Sequence, residues 1–150
     1  MIVEDIMVRE IITVGPETSI REIARALVDN KISGVPVVDP DGTMVGIISE
    51  KTILHKLHPG YDNLYEYGPS AYNYDAMEEA GVDVTNQTAK DIMISPVISV
   101  TPETPIMRAS ALMIANRIRR LPVLDDGKLV GIISSGDVCY EIFKKAFHLG

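Results

Sequence analysis

The feature that most constrains this chain is that it repeats itself. Laid over itself, Asp5-Ile6-Met7 falls on Asp91-Ile92-Met93. Ile12, Val14, Pro16, Glu17, Thr18 and Ile20 fall on Ile98, Val100, Pro102, Glu103, Thr104 and Ile106. Asn30, Ile32, Pro36, Val37 and Asp39 fall on Asn116, Ile118, Pro122, Val123 and Asp125. With one residue dropped from the second copy, Gly42, Val45, Gly46, Ile47, Ile48 and Ser49 fall on Gly127, Val130, Gly131, Ile132, Ile133 and Ser134. About twenty identities over roughly fifty positions with one gap identify an internal duplication. A unit of about fifty residues is too small to bury a comfortable core alone, so the copies are expected to pack on one another. Such a pair has a pseudo-twofold axis and two related clefts where the copies meet.

Each copy reads as β-α-β-β-α. Ile11–Val14 is a short β-rich segment, and Pro16-Glu17-Thr18 signals a helix start with Thr18 or Ser19 as N-cap. Ile20, Ile23, Ala24 and Leu27 recur at helical spacing and give one apolar face. The second copy adds Met107, Leu112 and Ile114 to Ile106, Ala109 and Met113, which predicts a helix buried on two faces. Val35–Val38 and Met44–Ile48 flank Asp39-Pro40-Asp41-Gly42 and read as a hairpin. Their continuous Val/Ile character predicts strands covered on both sides. A last helix follows from about Glu50 in one copy and Ser135 in the other.

The stretch 57–88 has no repeat counterpart. It holds Tyr61, Tyr65, Tyr67, Tyr72 and Tyr74, together with Asp62, Glu66, Asp75, Glu78, Glu79 and Asp83, and no Lys or Arg. Asp75–Ala80 reads as a short helix ended by Gly81. A packed-down surface excursion and a lid or docking surface both fit this composition. The organisation read from sequence is therefore a first repeat over 1–58, an acidic Tyr-rich insertion over 59–87 and a second repeat over 88–150.

Three signatures stand in the same order in both copies: Asp-Ile-Met; Val-Pro-Val-Val-Asp or Leu-Pro-Val-Leu-Asp; and Val-Gly-Ile-Ile-Ser. Together they resemble the cystathionine-β-synthase (CBS) domain pair, also called a Bateman module. That resemblance implies an α/β (α+β) fold, a tandem pair of β-α-β-β-α units. It also implies a regulatory module that binds AMP, ADP, ATP or S-adenosylmethionine between the copies and controls a separate enzyme or transporter. Homodimers are common in the family. The alternative is a protein-interaction or oligomerisation scaffold with non-functional clefts.

The resemblance assigns roles residue by residue. Ser134 and Asp137, in Ser-Ser-Gly-Asp, match the hydroxyl and acid that hold a ribose. A capping box explains the same spacing, and both readings stand. Of Arg119 and Arg120, whose side chains point to opposite sides of an extended chain, Arg119 best matches the basic position that meets phosphate and the other meets solvent or the partner copy; a solvated basic pair has the same pattern. Met7, Ile12, Ile32 and Ser33 would form the apolar wall against adenine. The reciprocal cleft would use Ser49, Thr52, Met93, Ile98 and Ile118. It departs from the family pattern, because Thr52 stands where the acid belongs and Ser33-Gly34 replace the arginines. The two clefts are thus expected to be unequal, with the Asp137 cleft the stronger.

Other classes are disfavoured. A net charge of −7 argues against nucleic acid. Membrane insertion would need about eighteen consecutive apolar residues, which the sequence lacks. Cys139 is the one cysteine, so it forms no intrachain disulfide and is expected to be a packed thiol in a cytoplasmic protein. His55 and His58 sit three apart without further ligands, so no metal site is expected. No obligatory cofactor and no catalytic constellation is read from the chain, which is expected not to be an enzyme.

Overall fold

The computed structural model describes residues 1–57 and 86–150. The readings placed on 58–85 (the tyrosines, the Asp75–Ala80 helix and His58) lie outside the described residues. The chain opens with a 3-10 turn, Val3–Asp5. Then come α1 (Ile20–Asn30), β1 (Gly34–Val38), β2 (Met44–Ser49) and α2 (Glu50–Leu57). The second copy supplies α3 (Ala89–Ile92), α4 (Ile106–Asn116), β3 (Arg120–Asp125), β4 (Lys128–Ser134) and α5 (Ser135–Ala146). Each hairpin is its own two-stranded sheet, β1-β2 and β3-β4.

Local chemistry accounts for these elements. Ser19 is the N-cap of α1 and accepts from Glu22 N at 3.2 Å. Thr18 Oγ1 accepts from Gly15 N at 2.9 Å, and Thr104 Oγ1 accepts from Thr101 N at 3.0 Å, closing the same Pro-Glu-Thr turn in both copies. Helices α1 and α4 end the same way. Asn30 Nδ2 donates to Ala26 O and Asn116 Nδ2 to Leu112 O, each at 2.8 Å. The next residues, Lys31 and Arg117, turn left-handed at φ 52° and 55°. In the second hairpin Asp126 and Gly127 both have positive φ, 52° and 79°, the requirement of a two-residue type I′ turn. The first hairpin carries one more residue and closes through Gly42 at φ 90°.

The expected first strand is reduced to one bridge per copy, Val14 with Val37 and Val100 with Val123, both parallel. Val14 N donates to Pro36 O at 3.0 Å and Val100 N to Pro122 O at 3.1 Å. Extending either ladder towards Ile12 or Ile98 would require an N–H from Pro36 or Pro122, which proline lacks.

The compact units are discontinuous in sequence. One comprises Met1–Ile12, Val38–Met44 and Pro96–Gly150; the other comprises Thr13–Val37 and Val45–Ser95. In the first, Val3 is buried with Val100, Ile106, Ala109, Met113, Leu121, Val123, Ile133 and Val138. In the second, Ala89 and Ile92 are buried with Ile20, Ile23, Leu27, Val35, Val37, Ile48 and Ile53. The leading segment of each repeat thus completes the core built by the other repeat's helices and hairpin.

The same bonds fix both segments. Val3 N donates to Thr104 O (2.8 Å) and Glu4 N to Pro102 O (2.9 Å); Ala89 N donates to Thr18 O (2.8 Å) and Lys90 N to Pro16 O (2.9 Å). Val8 pairs with Ile132, and Ile94 pairs with Ile47, in antiparallel bridges.

Two further expectations fail within the chain. Helix α4 buries one face, through Ile106, Ala109 and Met113, whereas Met107 and Ile114 are 63% and 77% exposed. Cys139 is exposed rather than packed, because it follows buried Val138 on α5 and so points away from the core.

Candidate functional site

Strand β4 ends at Ser134, which becomes the N-cap of α5. Ser134 Oγ accepts from Asp137 N, and Asp137 Oδ2 accepts from Ser134 N, each at 3.1 Å. This is a reciprocal cap, with the acid also placed favourably at the helix's positive end. It engages Oδ2 of the carboxylate, leaving Oδ1 without a partner among the described residues. Both residues are half-buried. Ser135 N donates to Arg119 O at 2.8 Å, which fixes the backbone beside the cap. The side chains of Arg119 and Arg120 are exposed.

A depression of about 330 Å³ adjoins the cap, lined by Asp5, Ile6, Gly136, Asp137, Tyr140 and Glu141. Asp5 and Ile6 are held there by the docked N-terminal turn, whose own cap is Asp5 Oδ2 accepting from Ile2 N at 2.9 Å. Sequence reasoning singled out Asp5-Ile6-Met7 as a repeated motif but gave Asp5 and Ile6 no place in the site. Tyr140 and Glu141 lie three and four residues beyond Asp137, one helical turn on, and that spacing was the available signal.

Of the residues predicted for the Asp137 site, Met7, Ile12, Arg119, Arg120, Ser134 and Asp137 fall in one compact unit, while Ile32 and Ser33 fall in the other. Met7 packs on Gly131 and on the core of its unit. Ile12 is 41% exposed. Ile32 packs half-buried against the second core, and Ser33 O accepts from Glu50 N at 2.8 Å.

Of the reciprocal set, Ser49, Thr52 and Met93 belong to the second unit, and Ile98 and Ile118 to the first. Ser49 and Thr52 reproduce the cap with hydroxyls alone. Thr52 N donates to Ser49 Oγ and Ser49 N to Thr52 Oγ1, both at 3.3 Å, and the two hydroxyl oxygens lie 3.1 Å apart. This cap is neutral and its bonds are longer. Ile98 is 43% exposed and Ile118 is half-buried.

Among the described residues no group of three or more His, Cys, Asp or Glu side chains is placed to hold a metal ion. No described helix is long and apolar enough to cross a membrane.

Duplicated α/β units, each a two-stranded antiparallel sheet with helices and a capped helix start after its last strand, define the class of protein. The chain belongs to the CBS domain family, whose signature matches residues 3–59 and 89–144. It is 35% identical over 150 residues to an uncharacterized protein of Methanocaldococcus jannaschii, MJ1426, covering 92% of this chain and 89% of that one. It is 30% identical over 138 residues to the chloroplastic CBS domain-containing protein CBSX1 of Arabidopsis thaliana, of which it spans 56%. Among solved structures, the complex of CBSX2 with AMP superposes with a TM-score of 0.73 at 28% identity, covering 97% of this chain and 98% of that one. The CBS pair of MJ0100, solved with 5′-methylthioadenosine and S-adenosyl-L-methionine, superposes at 0.69 with 27% identity, covering 97% and 98%.

Proposed function

We propose that this chain is a regulatory module that binds an adenosine-containing ligand and controls a separate partner protein. AMP, ADP, ATP and S-adenosylmethionine are the ligands in view. The observation that carries the reading is the Ser134–Asp137 pair, in which capping uses one carboxylate oxygen and leaves the other for ribose hydroxyls, beside a depression of about 330 Å³. A carboxylate accepts well from paired hydroxyls, and such bonds are the stronger kind. The AMP complex of CBSX2 and the methylthioadenosine and S-adenosylmethionine complex of MJ0100 support the ligand class.

In this reading Arg119 meets phosphate where the ligand carries it, with Arg120 beside it at the start of β3, and Met7, Ile12, Ile32 and Ser33 serve the adenine end. Ser49, Thr52, Met93, Ile98 and Ile118 form a weaker second site, because a threonine brings no charge. The module works as two repeats, 1–58 and 88–150, with 59–87 as an insertion, in a cytoplasmic homodimer.

Thermal melting against AMP, ADP, ATP and S-adenosylmethionine tests the reading. A ligand at one hundred times its dissociation constant adds about 2.7 kcal/mol to stability. A scaffold with non-functional clefts gives no shift with any of the four at millimolar concentration.

A further inference from the structure

Each Asp-Ile-Met segment is seated on a glycine of the other repeat's last strand. A Cβ at Gly131 would stand 2.6 Å from Met7 Sδ, 2.9 Å from Met7 Cγ and 3.2 Å from Val8 O. At Gly46 a Cβ would stand 2.6 Å from Met93 Sδ and 2.8 Å from Met93 Cγ. A methyl group at either position would push the methionine out of its seat, and at Gly131 it would also press on the Val8 carbonyl, so glycine serves here by the space it leaves and not by its backbone angles. The device occurs twice, once in each compact unit, and each time an antiparallel bridge flanks it: Val8 with Ile132, and Ile94 with Ile47.

In the unit containing Asp137 the seat has a consequence for the site. Met7 follows directly on Asp5 and Ile6, which line the depression, while Met7 itself does not line it. The main-chain bonds from Val3 to Thr104 and from Glu4 to Pro102 hold one end of the turn. The Met7 seat and the Val8–Ile132 pairing hold the other, on the strand that ends at Ser134. We propose that Met7 on Gly131 is a positioning contact: it sets the wall formed by Asp5 and Ile6 against Asp137, so adenosine affinity depends on a pair of residues outside the pocket. The proposal rests on the ribose reading of Ser134 and Asp137. It also changes the part of Met7, from a residue touching adenine to one that places those that line the depression.

Calorimetric titration with AMP, and with S-adenosylmethionine if AMP is silent, on the wild type, Gly131→Ala, Met7→Ala and the double variant tests it. Circular dichroism checks that each is folded at the titration temperature. Gly131→Ala should weaken binding about tenfold or more. Met7→Ala, which empties the seat without a clash, should weaken it severalfold. The double variant should bind better than Gly131→Ala, because the truncated side chain makes room for the new methyl group. Folded single variants that bind like the wild type while melting lower would overturn the positioning role and leave the ribose reading intact. A wild type that binds neither compound would overturn both.

Discussion

Substitution of Asp137 separates its capping bonds from the ribose role proposed for it. Asp137→Ala removes the acceptor for Ser134 N and should cost about 1 kcal/mol of stability as a lost cap. As a ribose ligand it should also weaken adenosine binding at least about tenfold, since a hydrogen bond to a charged group contributes roughly 1.5–3 kcal/mol. Calorimetry beside melting decides between them: lower melting with unchanged affinity would make Asp137 a cap alone. Thr52→Asp in the other copy should strengthen the weaker site. Arg117 offers a test independent of ligand. It sits left-handed at φ 55° after α4, a conformation that disfavours any residue with a Cβ. Arg117→Gly should therefore stabilise the protein by up to about 1 kcal/mol, read as a rise in melting temperature of a few degrees. The repeat made Asn30 and Asn116 conspicuous, but nothing in Lys31 or Arg117 announced a left-handed residue. Helix length in three dimensions decided that.

At the scale of elements, charged caps give the fold a pH dependence with a defined sign. Asp91 accepts from Thr88 N at 2.8 Å and from its hydroxyl at 3.1 Å, and these bonds hold its carboxyl below the ordinary 3.8. Asp41 is lowered in the same direction, first by the backbone N–H of Thr43. A carboxylate whose pKa is lowered by folding adds stability that is complete above its unfolded value and lost as pH falls through the folded one. Both groups are exposed, so the effect is small. Melting temperature should begin to drop below about pH 4, and Asp91→Asn should flatten part of that drop while costing stability at neutral pH. Lys90 has the opposite sign. Its hydrogen bond to Glu17 raises its pKa, so that contribution is present below 10.5 and disappears only at more alkaline pH. Helices and hairpins were legible because apolar spacing and Asp-Gly turns act locally. The first strand is shorter than its β-rich sequence predicts because its ladder depends on a proline more than twenty residues away in the chain.

At the scale of the whole molecule, exposed apolar side chains set the expectation. Met107 and Ile114 on α4, Tyr140 and Phe143 on α5, and Phe147 at its C-cap are each more than half exposed. Side chains of this size left uncovered favour association. Light scattering at micromolar concentration should give a mass near twice 16.4 kDa, and Ile114→Glu with Phe143→Glu should return it to the monomer value. A wild-type monomer would count against the homodimer. Removing residues 1–8 tests the exchange of segments between the repeats. It takes away Val3, which is fully buried, and the Val8 pairing, and should destabilise the unit holding α4 and α5 by several kcal/mol.

The duplication, the helices and hairpins, the family and the Ser134–Asp137 spacing can all be read from the sequence. All of these are written in short-range pattern: periodicity, turn chemistry and identities between copies. Tertiary structure decided that the leading segment of each repeat belongs to the other's core. It also decided that Met93 and Met7 rest on Gly46 and Gly131, and that Asp5 and Ile6 line the depression beside the cap. Such facts depend on which surfaces meet. A repeat alignment shows that two segments are alike, but apolar residues such as Val3 and Ala89 carry no label for the core they will fill, since the hydrophobic effect that buries them has no direction.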